Sequence, residues 1–449
     1  MKAPGIKATD MTATSTTATD MTAKDGIAGV IADLVRTQAG LDLPVRLRAW
    51  DGSEAGPASG PILVARSPRA LRRILWRPGE LGLVRAYISG DLDVDGDLTD
   101  GLRRVWAAAA VRQEAPGDGT EPGHAPSPGP AAMRKPAAMR TAAAAIAAVR
   151  AVARLRVPVW PPPPAPDCEL RVRGRRHSRA RDQAVIAGHY DLPAAFYQLI
   201  LDPSMAYSCG WWAIADTLAA AQRAKLELIC RKLELAAGQR LLDMGCGWGS
   251  LTVHAARHHQ ARVTAVTLSA KQGRHVSQRT NDLGDQTEVR IQDYRDPLDG
   301  TYDAIASVEM GEHVGAAHYP RFCAALHRVL KPGGLLLIQQ MSRGARAPGG
   351  GAFIESYIAP DMHMRPVGET VRLIEGAGFE VIAVQAMREH YVRTIRAWLR
   401  NFEENLPAIR QILTPEQVRV WRLYLAGGAL AFEDGRMGVD QILAVRKAR

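Results

Sequence analysis

The sequence predicts an α/β protein whose larger part is a mostly parallel, doubly wound sheet, preceded by a smaller N-terminal α+β domain. From about residue 183 onward, helical periodicity alternates with short apolar runs, which is the pattern of successive βα units. A glycine-rich turn directly follows the first of these runs and opens a helix. The chain also has 449 residues, more than a single ordinary domain requires.

Composition narrows the class of protein further. Hydrophobic residues make up 47% of the chain, and no apolar run reaches the roughly 18 residues that span a membrane. The polar, Thr/Ala-rich start of the chain has no apolar stretch like that of a secretory signal, so a cytoplasmic location is expected. Five scattered cysteines without a CxxC pair argue against a disulfide framework and a structural zinc site, and we expect no metal.

Shifts in composition divide the chain into four parts. Residues 1–25 are predicted to be a disordered tail, 26–110 a small N-terminal domain, 111–182 a Pro/Ala-rich basic linker and 183–449 the main α/β domain. In the small domain, Ser67 followed by Pro68 predicts the start of a helix.

The positive charge is concentrated around the linker. Residues 131–185 carry twelve Lys and Arg against three Asp and Glu, and the whole chain has a net charge of +11. Such a segment attracts nucleic acid or an anionic lipid surface, and charge alone does not choose between them. The Ala-rich stretch 137–160 is compatible with a helix on a membrane surface and equally with a solvated spacer.

In the main domain, five strands are predicted, with helices between them: RLLDMG, ARVTAVTLS, TEVRIQD, YDAIASVEM and LLLIQQMS. Two of the predicted helices are SLTVHAARHH, after the glycine-rich turn, and YPRFCAALHRVLKPGG, which is expected to end at the glycine. Ligands of doubly wound sheets bind beyond the carboxyl ends of the strands. The first strand ends in Asp243-x-Gly245-x-Gly247, which is not the GxGxxG of a dinucleotide site. No Asp or Glu occurs between Ser250 and Asn281, where such a site places its ribose-binding acid. The loop instead resembles the S-adenosylmethionine loop of class I methyltransferases.

Eight segments in order across residues 183–445 extend this resemblance: AGHYDLPAAFYQLILD, MAYSCGWW, LLDMGCGWGSLTVHAA, VTLSAKQ, SVEMGEHVG, LKPGGLLLIQQMS, FIESYIAP and HYVRTIRAW. Together they resemble the cyclopropane fatty acid synthase and mycolic acid cyclopropane synthase family of S-adenosylmethionine-dependent methyltransferases. The N-terminal part, with LGLVRAYISGDLDVDGDL, is similar to the extra domain of the longer bacterial synthases. That domain is expected to help dimerisation and lipid engagement.

The resemblance implies methylation of a double bond in an unsaturated, oleoyl-type acyl chain of a membrane phospholipid. The protein is then expected at the inner membrane surface, on anionic lipid. The alkene attacks the sulfonium methyl, and a base within hydrogen-bond reach strips a proton from the resulting carbocation. In the family, that base is a bicarbonate ion held by polar side chains and backbone groups.

Four positions match the family's catalytic site. They are Cys209 in YSCGWW, Glu312 in MGEHVG, Tyr391 in HYVRT and Gln339, which stands where the family has a histidine. Gln339 donates a hydrogen bond but has no titratable proton, so bicarbonate is expected to be held differently. Glu309, three residues before Glu312, is expected to be structural.

The cofactor positions that the resemblance implies lie in the YSC segment and at or after the ends of the first three strands of the main domain. They are Tyr207, Ser208, Asp243, Gly245, Gly247, Trp248, Thr267, Leu268, Gln272, Asp293 and Tyr294. The apolar residues of FIESYIAP and WRLYLAGGALAF are expected in the core, with a lipid tunnel as the alternative.

The reaction product is left open between a cyclopropane and a 10-methylene chain. The SVEM run and the Ile-Gln end of the strand after PGG resemble the actinobacterial branch that makes tuberculostearic acid, which favours the methylene. A methylene product implies a partner reductase.

Two other functions compete with lipid methylation. A nucleic-acid methyltransferase would carry an NPPY motif or a cysteine loop, and the sequence has neither, so no nucleic acid partner is expected. A non-catalytic, lipid-binding relative is disfavoured by the retention of Cys209, Glu312 and Tyr391.

Overall fold

The computed structural model describes residues 26–114, 155, 160–190, 192–344 and 350–448. The predicted tail, most of the basic linker and nearly all of the Ala-rich stretch lie outside these residues. Among the described helices, none is long and apolar enough to cross a membrane.

The small N-terminal domain contains a four-stranded sheet with helices around it. Its elements are α1 (Ile27–Ala39), β1 (Arg46–Arg48), β2 (Glu54–Ala55), β3 (Ile62–Ala65), α2 (Pro68–Trp76), α3 (Glu80–Ile88), β4 (Leu92–Asp95) and α4 (Leu98–Glu114). The strand order is β2-β1-β3-β4, with only β1 and β3 parallel. The predicted helix start at Ser67 is confirmed, since its Oγ accepts a hydrogen bond from the Arg69 N–H at 3.3 Å.

The main domain is built on a seven-stranded sheet. Its strands are β5 (Arg240–Met244), β6 (Arg262–Thr267), β7 (Thr287–Ile291), β8 (Tyr302–Val308), β9 (Leu330–Arg343), β10 (Phe379–Ala386) and β11 (Met437–Arg446). Their order is β10-β11-β9-β8-β5-β6-β7, and β11 is antiparallel to both neighbours. The order reverses between β5 and β8, which makes the carboxyl ends of these two strands the switch point. The predicted doubly wound fold is confirmed.

Helices cover both faces of this sheet and continue beyond it. They are α5 (Arg179–Tyr190), α6 (Ala194–Ile200), α7 (Leu218–Lys232), α8 (Ser250–His259), α9 (Ala270–Arg279), α10 (Tyr319–Val329), α11 (Ala352–Tyr357), α12 (Val367–Gly376), α13 (Arg388–Glu404), α14 (Leu406–Ile412) and α15 (Pro415–Glu433). A large apolar core joins α6, α13 and α15 near the glycine-rich turn, including Tyr197, Trp248, Trp398 and Trp421. This core holds helix α13, which carries Tyr391, in place relative to the sheet.

Two parts of the sequence prediction differ from the structure. The helix expected to run to the PGG turn ends at Val329, and β9 begins at the next residue. Pro332 favours this early end, because a proline disfavours helical backbone in the residue before it, here Lys331. Strands β10 and β11 were not predicted. Alternation of polar and apolar residues is weak in both, and β11 is paired on both sides.

The described end of the linker, residues 160–178, packs against both domains. The Arg73 guanidinium donates to the Pro164 carbonyl at 2.6 Å, and Arg85 of α3 donates to Glu169 at 2.7 Å. Glu169 also accepts from the Tyr357 hydroxyl of α11 at 2.7 Å. This end of the linker is therefore a bridge between the domains, although its composition predicts a spacer.

Some of the positive charge of this region is neutralised by the main domain. The Asp361 carboxylate, which is buried, forms ion pairs with Arg176 at 3.1 Å and with Arg181. Arg179 pairs with Asp296. The charge that is left to attract a polyanion is therefore smaller near residues 176–181 than the sequence suggests.

Candidate active site

The glycine-rich turn after β5 brings bare backbone to the switch point. Gly245, Gly247 and Gly249 have φ angles of 86°, 53° and 82°, a region that residues with a Cβ seldom adopt. A Cβ on Gly245 would lie 2.7 Å from the Met310 side chain, whereas one on Gly247 would meet nothing within 4 Å. Helix α8 begins directly afterwards at Ser250, so its free N–H groups face the same space.

A cavity of about 130 Å³ lies over this turn. The residues predicted for the cofactor that line it are Tyr207, Ser208, Asp243, Gly245, Gly247, Trp248, Thr267, Leu268, Gln272 and Tyr294. The Trp248 indole N–H and the Tyr294 hydroxyl are buried without a hydrogen-bond partner in the described part of the chain. Open space at Gly247, unpaired donors and a helix N-terminus together fit a nucleoside-containing cofactor such as S-adenosylmethionine.

Asp293 differs from the other residues predicted for the cofactor, and its cofactor role stays a prediction. Its carboxylate is bound by the Arg295 guanidinium at 2.7 and 2.5 Å, and the side chain does not line the cavity. Its neighbour Gln292, which was not predicted, does line it. The third strand ends two residues earlier than the sequence suggests, at Ile291.

Asp243 contributes a buried acid to the floor of this cavity. One of its oxygens accepts a hydrogen bond from the Thr252 hydroxyl of α8 at 2.7 Å. Burial raises the pKa of Asp243 to about 6. The Thr267 hydroxyl donates to the Gln272 side-chain oxygen at 2.9 Å, so two residues predicted to contact the cofactor are held together by a hydrogen bond.

A second, larger cavity of about 540 Å³ lies beside the first. Apolar residues of FIESYIAP and of α15 form much of its wall, including Phe353, Ile354, Ile358, Leu423, Tyr424, Leu425 and Phe432. Glu80 and Trp106 of the N-terminal domain complete the lining. This geometry supports the lipid-tunnel alternative, because residues of both FIESYIAP and WRLYLAGGALAF line an open cavity.

The two cavities meet at Tyr207, Glu309 and His313, which line both of them. Whatever occupies the apolar cavity can therefore approach a ligand on the glycine-rich turn at these side chains. Both Glu309 and His313 follow β8, at the switch point of the sheet.

Cys209, Gln339 and Tyr391, predicted as catalytic, converge on Glu309. The Tyr391 hydroxyl donates to Glu309 Oε2 at 2.5 Å, and the Gln339 Nε2 donates to Oε1 at 2.8 Å. The Cys209 backbone N–H donates to the same Oε1 at 2.8 Å. The expectation that Glu309 is structural is therefore wrong in geometry, because this carboxylate lies at the centre of the predicted site.

Glu312 occupies a different position. Its carboxylate accepts a hydrogen bond from the Met341 N–H at 2.5 Å, its other oxygen has no partner within the described residues, and it does not line either cavity. Burial, and then the charge of nearby Glu309, raise the pKa of Glu312 to about 8. The catalytic role that the resemblance implies for Glu312 stays a prediction.

The side chain of Gln339 is held in one orientation by a chain of hydrogen bonds. Lys232 Nζ donates to Gln441 Oε1 at 2.7 Å, and Gln441 Nε2 donates to Gln339 Oε1 at 2.9 Å. The amide nitrogen of Gln339 is thereby directed at Glu309. Glutamine at this position therefore supplies a fixed donor without a titratable proton.

Lys225 of α7 is a site residue that the sequence did not indicate. It is 1% exposed, lines the smaller cavity, and donates from Nζ to the Ser208 hydroxyl at 2.9 Å. Burial lowers the pKa of Lys225, while the nearby acids Glu309, Asp202 and Asp243 raise it. A lysine within the amphipathic repeat of α7 looks like a surface residue, and only the packing of α7 on the sheet reveals its place.

One further cluster lies at the far end of α8 from the glycine-rich turn. Ligand atoms of Cys230, His254 and His259 are all within 4.8 Å of one another, and Glu227 Oε2 is 3.3 and 3.1 Å from the two histidines. Such a donor set could hold a metal ion. The expectation of no metal rested on cysteine spacing, which does not report on groups that α7 and α8 bring together.

Comparison with known proteins identifies the class and then the family. The chain has the fold of class I S-adenosylmethionine-dependent methyltransferases. One similar solved structure is that of the mycolic acid cyclopropane synthase CmaA1 complexed with SAH and CTAB. It is 29% identical in sequence and aligns with a TM-score of 0.55, over 59% of this chain and 98% of that one. The family model described as mycolic acid cyclopropane synthetase matches residues 177–442. The chain belongs to this family.

Two curated relatives show how far the similarity extends. The tuberculostearic acid methyltransferase UfaA1 of Mycobacterium tuberculosis is 29% identical, over 94% of this chain and 92% of its own. The cyclopropane-fatty-acyl-phospholipid synthase of Escherichia coli K12 is 35% identical, over 62% of this chain and 72% of its own. The similarity to UfaA1 thus includes the N-terminal domain of this chain.

Proposed function

We propose that this protein methylates a double bond in an unsaturated acyl chain of a membrane phospholipid, using S-adenosylmethionine, and leaves a 10-methylene chain. The observation that carries the proposal is the junction of the two cavities at Tyr207, Glu309 and His313. One cavity has the features of a cofactor site, and the other, of about 540 Å³, is lined mainly by apolar side chains, as an acyl chain requires.

Each cavity contributes a separate function. Bound at the glycine-rich turn, the cofactor supplies an electrophilic methyl group. The apolar wall excludes water, which would otherwise capture a carbocation. The aromatic ring of Tyr207 lies at the junction, where it can stabilise positive charge through its face. Tyr207 is held there by packing on Trp398, at 5.2 Å between ring centroids.

The lipid class and the product rest on the relatives. The Escherichia coli relative is described as acting on fatty acyl phospholipid and UfaA1 as a tuberculostearic acid methyltransferase. The SVEM run favours the second branch. A 10-methylene product would then pass to a reductase to become a methyl branch, and we propose a peripheral association with anionic membrane for access to the lipid.

Expression in a bacterium that makes oleoyl phospholipids tests the reaction. Phospholipid fatty acids should gain 14 mass units on C18:1 chains by mass spectrometry, and NMR should show exocyclic methylene protons without cyclopropane protons. Gly245→Val is the matched control, since even a Cβ would lie 2.7 Å from Met310, and it should give no product. Cyclopropane signals would overturn the methylene assignment, and unmodified chains with folded protein would overturn lipid methylation.

Membrane association has its own test. Removal of residues 131–154, which carry five Lys and Arg and precede the packed bridge, should weaken binding to anionic vesicles, most strongly at low salt. Binding that does not change would remove this segment from the proposal.

A further inference from the structure

Glu309 lies in a backbone conformation that its residue type rarely adopts. Its φ angle is 51°, in the left-handed region that is costly for residues with a Cβ. The Glu309 N–H donates to the Gln339 carbonyl at 2.6 Å, which fixes this geometry at the end of β8. Strain of this kind is maintained only where the surrounding structure enforces it, and it concentrates at functional sites.

The strained backbone delivers the carboxylate to three donors. These donors are the Tyr391 hydroxyl, the Gln339 amide and the Cys209 N–H, the same three residues that the family resemblance assigns to holding a bicarbonate ion. Bicarbonate and a glutamate side chain both present a planar carboxylate with one negative charge. In this chain, the place among the donors is therefore filled by a side chain of the protein.

The carboxylate is also placed where a proton must be taken up. Glu309 lines both the cofactor cavity and the apolar cavity. Three hydrogen bonds leave part of its acceptor capacity free, because a carboxylate offers about four lone-pair sites. A base must lie within hydrogen-bond reach of the proton that it removes, and the junction of the cavities provides that position.

Hydrogen-bond donors favour the basic form of this carboxylate over that of Glu312. Burial raises the pKa of Glu309, and the hydrogen bonds from Tyr391, the Cys209 N–H and Gln339, followed by the charge of Lys225, lower it. Glu312, with one backbone donor and an unpaired oxygen, is the member of the acid pair that retains a proton. Two carboxylates this close do not both ionise readily, and the three donors assign the charge to Glu309.

We propose that Glu309 is the general base of the reaction, and that this enzyme needs no bicarbonate; the inference rests on the proposed lipid methylation. After the alkene has taken the methyl group, a hydride shifts from the methylated carbon to the neighbouring cationic carbon. A C–H bond of the new methyl group then breaks, its electron pair forms the exocyclic double bond, and the proton goes to a Glu309 oxygen. The lipid gains CH₂, and the cofactor leaves without its methyl group.

The test uses purified full-length protein, S-adenosylmethionine and vesicles of oleoyl phospholipid, in degassed buffer with and without bicarbonate. Wild-type turnover should differ less than 2-fold between the two buffers. Glu309→Gln should lose roughly 10²- to 10⁴-fold in turnover, the usual contribution of a general base. Its affinity for S-adenosylhomocysteine, measured by calorimetry, should stay within about 3-fold, which shows that the fold and cofactor site persist.

Glu309→Gly gives a second, independent readout. Glycine accepts a φ of 51° without strain and opens space among the three donors, so millimolar bicarbonate should restore at least 10-fold of the lost turnover. Glu234 offers a matched control, because it is an exposed glutamate with the same φ of 51°. Glu234→Gln and Glu234→Gly should both retain wild-type turnover.

The outcomes separate this inference from the function on which it rests. Wild-type turnover that falls 10-fold or more without bicarbonate, or a Glu309→Gln variant with near-normal turnover, would overturn Glu309 as the base. Absence of any methylated lipid from the wild-type protein in either buffer would instead overturn the proposed function.

Discussion

The buried carboxyl of Glu312 makes a quantitative prediction about stability. Its side chain is fully buried, with one backbone donor and one unpaired oxygen, and its pKa is raised from 4.5 to about 8. In an unfolded chain the carboxyl would ionise near its ordinary value. Between these two pKa values the folded protein binds the proton that the unfolded chain releases, so the free energy of unfolding falls as pH rises.

The magnitude follows from the size of the shift. A difference of about 3.5 pKa units corresponds to about 5 kcal/mol over the whole window from pH 4.5 to 8, at about 1.4 kcal/mol per unit. Between pH 5 and 7 this single group should lower the free energy of unfolding by about 2.5 kcal/mol. Glu312→Gln keeps the size of the side chain and the acceptor for the Met341 N–H but cannot ionise, so it lacks this contribution.

Urea unfolding of both proteins at a series of pH values measures the effect. The free energy of unfolding of the Gln variant, relative to that of the wild type, should rise by about 2.5 kcal/mol from pH 5 to 7. This difference should become constant above pH 8. Contributions from other groups cancel in the difference, and Glu234→Gln corrects for the loss of an exposed carboxylate. Parallel stability curves, within about 0.5 kcal/mol, would show that Glu312 ionises normally and would refute the assignment of the shared proton to it.

Three further changes probe packing and the site. Leu326→Ala removes a fully buried side chain beneath the sheet and should cost about 2–5 kcal/mol in urea unfolding; a loss below 1 kcal/mol would contradict the packing. Thr394→Val leaves the Gly210 N–H and the Trp212 indole N–H, at 3.0 and 2.9 Å from the hydroxyl, without an acceptor, and should cost about 2–4 kcal/mol, whereas Thr394→Ser should recover most of it. Gly247→Ala puts a methyl group into the open space over the turn, so affinity for S-adenosylhomocysteine should fall 10-fold or more by calorimetry, and unchanged affinity would move the cofactor away from this glycine.

Local sequence patterns were sufficient for five of the seven strands of the sheet and for the glycine-rich turn. The spacing of Gly245 and Gly247 after an apolar run reports positive φ angles and close backbone approach, both of which are properties of a few consecutive residues. The α8 boundaries and the Ser67 cap followed from equally local rules. Strands β10 and β11 were not predicted, because their burial depends on partner strands, some of which are distant in sequence.

The sequence alone determined that a glycine-rich turn follows the first strand of a doubly wound sheet, and that Cys209, Gln339 and Tyr391 are available as donors. Only the tertiary structure decided which acid they hold. Glu309 and Glu312 lie three residues apart in an irregular turn, where no helical or strand period fixes the direction of a side chain. The positive φ of Glu309 and the short 3₁₀ turn at Gly311–His313 send one carboxylate into the junction of the cavities and the other onto the backbone of β9.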